Sequence, residues 1–146
     1  MILVIDTNIF ISALITPNSR LARILSYYSL PIKRISSHIL IAELSKHHDK
    51  IVRASKRTSK VISDDIYAYL QYIKLYEEDF IMPVHWQEAD RLTKGVDSDD
   101  IAFVALALQT DGLLWTGDKK LTDHLKSMGF DRVISTAELS IMLNIE

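Results

Sequence analysis

The stretch VIDTNIFISAL, residues 4–14, decides the fold because an apolar run ends in it directly at an acidic residue. Residues 1–5 are all apolar, and Asp6 follows them directly. A short, β-branched run of this kind is typical of a buried strand. An isolated buried carboxylate costs several kcal/mol, or becomes protonated, unless another group pairs with it. We therefore expect Asp6 to have a partner elsewhere in the chain.

The composition is that of an ordinary globular protein. The 146 residues are 48% hydrophobic and 25% charged, with a formal net charge of −2, and we expect one domain over residues 1–146. The longest apolar run, residues 101–108, is far shorter than the roughly 18 residues that a membrane span requires, and the first residues lack the features of a signal peptide. These observations predict a cytoplasmic protein with no membrane partner.

Apolar runs alternate with helical periodicities along the chain. Helices are predicted between the runs, among them one from residue 63 or 64 to residue 78 and one from residue 100 to residue 110. Strands separated by 10 to 15-residue helical patterns indicate an α/β fold, with a parallel sheet covered by helices on both faces. The predicted strands are residues 2–5, 32–37, 80–84, 113–116 and 132–135.

Several acids lie where these strands give way to helices. Asp6 and Asp118 follow the first and fourth strands, Glu43 lies in the helix after the second, and DSDD at 97–100 precedes an apolar helix. Each acid taken singly is explained as a helix cap or a solvent-facing residue. In open α/β sheets, however, working sites lie beyond the carboxyl ends of the strands, so these acids are candidates for one cleft.

Converging carboxylates repel one another and are tolerated chiefly around a divalent cation. The chain has no cysteine, so a metal must rest on oxygen or imidazole ligands. Oxygen ligands favour Mg²⁺ or Mn²⁺ over zinc.

A basic segment, KIVRASKRTSK at 50–60, contains five basic residues and no acid. Such a segment is either a solvated face or a strip that contacts phosphates. The candidate contacts to an RNA backbone are Lys50, Arg53, Lys56, Arg57 and, beside Asp118, Lys119.

Three segments together resemble the PIN-domain family of metal-dependent ribonucleases, which includes the VapC-type toxins of toxin–antitoxin pairs. These segments are VIDTNIFISAL, SSHILIAEL and DSDDIAFVALALQTDGLLWTGDKKL. By this resemblance Asp6, Glu43 and Asp100 match the three acids around the metal, and Asp118 matches a more variable fourth.

The resemblance also implies roles for neighbouring residues and a reaction. Asn8 and Thr116 match polar residues that orient the acids, and Asp97 is a further candidate ligand. The implied fold is a three-layer sandwich around a five-stranded parallel sheet. The implied function is Mg²⁺- or Mn²⁺-dependent hydrolysis of RNA, as the toxin of a type II pair with an antitoxin partner, leaving a 5′-phosphate and a 3′-hydroxyl.

Three alternatives stay open at this point. The first is a PIN-like RNA-processing nuclease without a toxin role, and the second is a non-catalytic RNA-binding module. The third is an enzyme whose strand-end aspartate is itself the phosphate acceptor. Among the acids of DSDD, helical geometry favours Asp100 as the ligand, because Asp99 is rotated about 100° away from it.

The predicted helix at 64–78 is apolar around more of its surface than a single stripe requires. It carries Tyr69, Tyr72 and Tyr76. Aromatic-rich surfaces are often interfaces, so we expect this face to meet a second copy, giving a homodimer or higher oligomer, or an antitoxin chain.

Overall fold

Five short runs of the chain form one parallel sheet. The structure is a computed structural model that describes residues 1–27, 31–96 and 101–145. The strand order is β3-β2-β1-β4-β5, and all four pairings are parallel. The strands are β1 (Ile2–Ile5), β2 (Lys33–Ser37), β3 (Ile73–Tyr76), β4 (Leu113–Trp115) and β5 (Val133–Ile134).

Helices connect the strands, and none of those in the described ranges is long and apolar enough to cross a membrane. A short 3₁₀ helix, Glu78–Phe80, follows β3. The described α-helices are α1 (Thr7–Ile15), α2 (Arg20–Ser26), α3 (Ile39–Lys46), α4 (His48–Ser55), α5 (Ser59–Leu70), α6 (Pro83–Leu92), α7 (Ile101–Thr110), α8 (Lys119–Ser127) and α9 (Thr136–Met142).

The sheet separates two hydrophobic cores. Leu3 and Ile5 of β1 pack with residues of α1–α5 and α9, whereas Val4 between them packs with residues of α6–α8. This alternation follows from the period of two along a strand. The α/β three-layer sandwich with a five-stranded parallel sheet, as expected from the sequence, is thus confirmed.

The third strand was misplaced by the sequence prediction. Residues 80–84 are not a strand, because Pro83 is the first residue of α6, where its missing N–H costs nothing. The strand is Ile73–Tyr76, within the segment predicted as helical, and α5 ends at Leu70. β3 lies at the edge of the sheet and pairs with β2 alone.

The three tyrosines of this segment do not share one face, which corrects the expectation of a single tyrosine-rich helix surface. Tyr69 is buried against Phe10 of α1, with ring centroids 5.6 Å apart. Tyr76 stacks on Phe80 at 4.2 Å. Tyr72 is 38% exposed. A surface made of all three therefore does not exist.

Candidate metal centre at the carboxyl edge of the sheet

Asp6 lies where β1 ends and α1 begins. Its backbone N–H donates to the carbonyl of Trp115 at 3.4 Å, which ties the end of β1 to the end of β4. Its Oδ1 accepts a hydrogen bond from the N–H of Ile9 at 3.1 Å, so Asp6 is the N-cap of α1. The residue is only 2% exposed. The strand and the helix together thus hold this carboxylate at a fixed place inside the protein.

The second oxygen of Asp6, Oδ2, is buried. Among the described residues, no group makes a hydrogen bond to Oδ2. Burial raises the pKa of Asp6 to about 6, and the charge of Asp118 adds to the rise. The Thr116 side chain and the N–H groups of Ile9 and Asn8 act against it and do not compensate for the desolvation. A buried oxygen in this state is suited to a cation.

Asp118 and Thr116 lie beside Asp6, after β4. Thr116 is 2% exposed, and its hydroxyl accepts a hydrogen bond from the N–H of Asp118 at 3.1 Å. Asp118 is half-buried and caps α8, because its Oδ1 accepts from the N–H of Leu121 at 3.0 Å. Both acids are therefore helix caps, and the positive ends of α1 and α8 face the same region.

Glu43 reaches this region from α3. Its Oε1 accepts a hydrogen bond of 2.9 Å from the hydroxyl of Thr7, the residue next to Asp6. Thr7 is buried and Glu43 is half-buried. The sequence prediction did not select Thr7, and no spacing signal could have linked it to a residue in another helix.

Asn8 lies at the rim of a cavity of about 380 Å³. The cavity is also lined by Ser12, Leu21, Gly117 and Asp118. The Asn8 side chain is exposed. Its place at an open cavity beside Asp118 suits contact with a bound molecule as well as the orienting role implied by the sequence resemblance.

Asp97, Asp99 and Asp100 lie outside the described residues. Within the described ranges, no group of three or more His, Asp or Glu side chains is close enough to hold a metal ion by itself. The donors that are described still suit a hard cation, because all are oxygens and the buried Oδ2 of Asp6 accepts no hydrogen bond from a described residue. Of the four predicted catalytic acids, Asp6 and Asp118 lie close enough to interact through charge, and Glu43 is hydrogen-bonded to Thr7, the neighbour of Asp6 in the chain.

The basic segment is divided by the fold. Lys50 and Arg53 of α4 and Lys56, which ends that helix in a left-handed conformation, are exposed. Lys119 is exposed at the first turn of α8, next to Asp118. These four positions are accessible to a ligand.

Arg57 differs from them because its guanidinium is engaged within the protein. Nη1 forms an ion pair with Asp65 at 2.7 Å, and Nη2 donates to the carbonyl of Leu14 at 2.5 Å. The residue is half-buried. These contacts fasten α5 and the end of α1 together, which is a structural role that the charge pattern did not reveal.

The sequence matches the model of the PIN domain over residues 4–136. The chain belongs to the PIN domain family. A search of curated proteins gives no match.

Two similar solved structures have the same fold. One is VapBC2 from Rickettsia felis bound to a DNA fragment from their promoter, with 15% identity and a TM-score of 0.67 over 92% of this chain and 97% of that one. The other is VapBC-1 from nontypeable Haemophilus influenzae, with 18% identity and a TM-score of 0.67 over 94% of this chain and 99% of that one.

Proposed function

We propose that the chain is a Mg²⁺- or Mn²⁺-dependent endoribonuclease that hydrolyses RNA phosphodiester bonds. The observation that carries this proposal is the buried Oδ2 of Asp6, which has no donor among the described residues and lies beside a second acid, Asp118. For an aspartate that serves only as a helix cap, burying the other oxygen without a donor is an uncompensated cost. Membership of the PIN domain family supports the same function.

Asp6, Glu43 and Asp118 would hold the metal, together with Asp100 or Asp97 from the segment outside the described residues. When bound, a divalent cation activates water and neutralises charge on the phosphate. Thr7 fixes the direction of Glu43 through its hydroxyl, and Thr116 fixes the turn that presents Asp118. These hydrogen bonds reduce the rearrangement needed for the acids to bind a cation.

Asp6 must be ionised to bind a cation. Its pKa of about 6 means that protons compete with the metal under mildly acidic conditions. The reaction should therefore weaken as the pH falls below about 6.

The RNA backbone would contact the exposed cations near the cleft. Lys119 adjoins Asp118, and Lys50, Arg53 and Lys56 form an exposed strip on α4. Contacts of this type bind phosphate without reading the bases, which favours substrates recognised by shape or as single-stranded loops.

We further propose that the chain is the toxin of a type II toxin–antitoxin pair and that an antitoxin chain binds it. The sequence resemblance to VapC-type toxins and the fold shared with the two VapBC structures support this proposal. Growth arrest on induced expression, relieved by Asp6→Asn, would agree with it. Normal growth with an active enzyme would favour an RNA-processing nuclease.

The test of the enzyme proposal is cleavage of a structured RNA by the purified chain. We expect cleavage with Mg²⁺ or Mn²⁺, none in EDTA, and products with a 5′-phosphate and a 3′-hydroxyl. Equal cleavage in EDTA, or products with a 2′,3′-cyclic phosphate, would contradict a metal-dependent hydrolysis. RNA binding without cleavage under all metal conditions would favour a non-catalytic module.

A further inference from the structure

The cavity of about 380 Å³ next to Asp118 is built largely by residues other than the proposed metal ligands. Asn8, Ile11 and Ser12 of α1 line it. They share one face of the helix, because residues three and four apart are neighbours on a helix surface. Leu21, in the first turn of α2, lines it as well. Two helices thus form a cavity that adjoins the candidate metal centre.

The cavity has room for one small group. Gly117, the residue before Asp118, lines it without a side chain, and a Cβ atom at this position would meet no atom within 4 Å. Binding sites for small molecules usually have volumes of about 300–1,000 Å³. The size of this cavity therefore suits a single ring system rather than a length of folded chain.

The lining combines aliphatic surface with two polar side chains. Ile11 and Leu21 are half-buried, whereas Asn8 and Ser12 are exposed. The amide of Asn8 both donates and accepts hydrogen bonds, and so does the hydroxyl of Ser12. Such a lining suits a group that has flat, apolar faces and a polar edge.

Charge disfavours a phosphate inside the cavity. Asp118 lines it, and none of the described residues in the lining is basic. Asp118 also lies close enough to Asp6 for the two charges to interact. A nucleobase, in contrast, is uncharged at neutral pH and is not repelled. Lys119 is exposed beside Asp118 and suits the phosphate attached to such a base.

We propose that this cavity binds one unpaired nucleobase of the RNA substrate, next to the bond that is cleaved. The inference rests on the proposed function, since the RNA substrate brings a base to this edge of the sheet. The faces of the base pack on Ile11 and Leu21, and its edge forms hydrogen bonds with Asn8 and Ser12. A paired base has its edge and its faces already occupied, so the cavity selects single-stranded RNA.

The first experiment tests the cavity without metal and without cleavage. Adenosine, guanosine, cytidine and uridine are titrated one at a time into the isotope-labelled chain in EDTA, and the amide signals are followed by NMR. We expect at least one nucleoside to shift the signals of Ser12, Leu21 and Gly117. The best and the worst nucleoside should differ in affinity by about fivefold or more, as expected for a base that is read by hydrogen bonds. Ribose 5-phosphate should shift none of these signals.

Ser12→Phe fills the cavity and removes a polar group from it. This variant should bind the best nucleoside at least about tenfold more weakly, because the base loses both space and a hydrogen bond. Ser63→Phe is the matched control, because Ser63 is exposed within α5. It should bind as the wild type does. Circular dichroism verifies that each variant is folded.

Asn8→Ala tests the reading of the base edge. It should reduce the difference in affinity between the best and the worst nucleoside to about twofold or less, since the amide is the group that can form two hydrogen bonds with one base. An unchanged preference in Asn8→Ala would contradict the role of Asn8. The proposal is overturned if no nucleoside shifts the cavity signals or if ribose 5-phosphate binds as tightly as the best nucleoside. Equal binding by Ser12→Phe and Ser63→Phe also overturns it.

The second experiment measures base preference during cleavage. The chain is given single-stranded RNA of mixed sequence with Mg²⁺, and the ends of the fragments are sequenced. We expect one base to be enriched at a fixed position beside the cut, and Asn8→Ala should reduce this enrichment about fivefold or more. An absence of cleavage would contradict the proposed nuclease function, while the nucleoside titration still decides the cavity. Cleavage with no base enriched beside the cut would overturn the cavity proposal and leave the nuclease function standing.

Discussion

The hydroxyl of Thr7 donates a hydrogen bond of 2.9 Å to Oε1 of Glu43 and joins the first turn of α1 to α3 across 36 positions of sequence. The bond links Glu43 of α3 to the residue that follows Asp6, the N-cap of α1. The relative position of two proposed metal ligands thus depends on a residue that is not itself a ligand.

Thr7→Val should weaken Mg²⁺ binding and cleavage by about ten to a hundredfold, the usual cost of losing a group that orients a ligand. Valine keeps the shape of threonine and removes only the hydroxyl. Metal affinity is measured by titration calorimetry, and cleavage at saturating Mg²⁺ separates a binding loss from a rate loss. Thr7→Ser restores the donor and should recover most of both. Unchanged metal affinity in Thr7→Val would mean that the bond only stabilises the fold.

Asp6→Asn should reduce cleavage at least a hundredfold and yet raise the melting temperature in EDTA at pH 7 by about 5 °C. Asparagine is an equally good N-cap and removes a buried charge that repels Asp118. Mg²⁺ should raise the melting temperature of the wild type and leave that of the variant unchanged. Asp123→Asn, an exposed acid of α8, is the control and should behave as the wild type. A cleavage rate within tenfold of the wild-type rate would contradict the proposed role of Asp6 as a metal ligand.

The metal-free protein should lose stability as the pH rises through the range from about 4 to about 6. Burial raises the pKa of Asp6 to about 6 in the folded state, against about 3.9 in the unfolded chain, so the unfolded state ionises first. The free energy of unfolding therefore falls with rising pH, by at most about 3 kcal/mol from this group. Urea unfolding in EDTA at pH 4.5, 5.5 and 7 measures the change. Subtracting the pH profile of the free energy of unfolding of Asp6→Asn from that of the wild type isolates the contribution of Asp6. A difference between the two profiles that does not vary with pH would contradict the raised pKa.

The acids at 97–100 should differ in their contribution to cleavage. Asp100→Asn is expected to lower the rate at least about a hundredfold, because helical spacing in the sequence predicts Asp100 on the same side as Phe103 and Val104. Asp99→Asn should cost little activity and at most about 1 kcal/mol of stability, and Asp97→Asn should fall between them. Cleavage by the three variants at equal folded fraction checks the order. The order is wrong if Asp99→Asn is the most damaging.

The exposed cations and Arg57 should respond differently to substitution. Replacing Lys50, Arg53 and Lys56 by alanine should weaken RNA binding and reduce the slope of log affinity against log salt by about 2 units, since each phosphate contact on a single strand contributes about 0.7. The free energy of unfolding of this triple variant should change little.

Arg57→Ala should instead lower the free energy of unfolding by about 1 to 3 kcal/mol, because it leaves Asp65 and the Leu14 carbonyl without their partner. Its effect on the salt slope should be small. Filter binding at several salt concentrations and urea unfolding separate the two classes. If Arg57→Ala changed the salt dependence of RNA binding and left the free energy of unfolding unaltered, Arg57 would instead be a contact to RNA.

The sequence predicted the parts of this fold that depend on local signals. β1 ends at an acid and is followed at once by a helix, and the same holds for β4 with Asp118, so strand and cap could both be read from neighbouring residues. β3 was missed because Ile73–Tyr76 continues an apolar pattern from α5, and one edge strand carries few signals of its own. Pro83 was assigned to a strand although it suits the first turn of a helix.

The sequence allowed the acids of the candidate site to be predicted, but not the hydrogen bonds that position them. The acids follow strands, so their types and places in the chain show in the sequence. The bond from Thr7 to Glu43 and the contacts of Arg57 join residues 36 and 43 positions apart and arise only when helices pack.

The pairing of β1 with β4 has a consequence for the order in which the protein is made. The site lies across two neighbouring strands that are roughly a hundred residues apart in the chain, with Asp6 bonded to Trp115. A ribosome synthesises about 5 to 20 residues per second, so Asp6 waits several seconds for its neighbours to emerge. An unfinished chain that lacks β4 also lacks Thr116 and Asp118, which follow that strand. Synthesis itself therefore delays assembly of the centre until the last quarter of the chain is available.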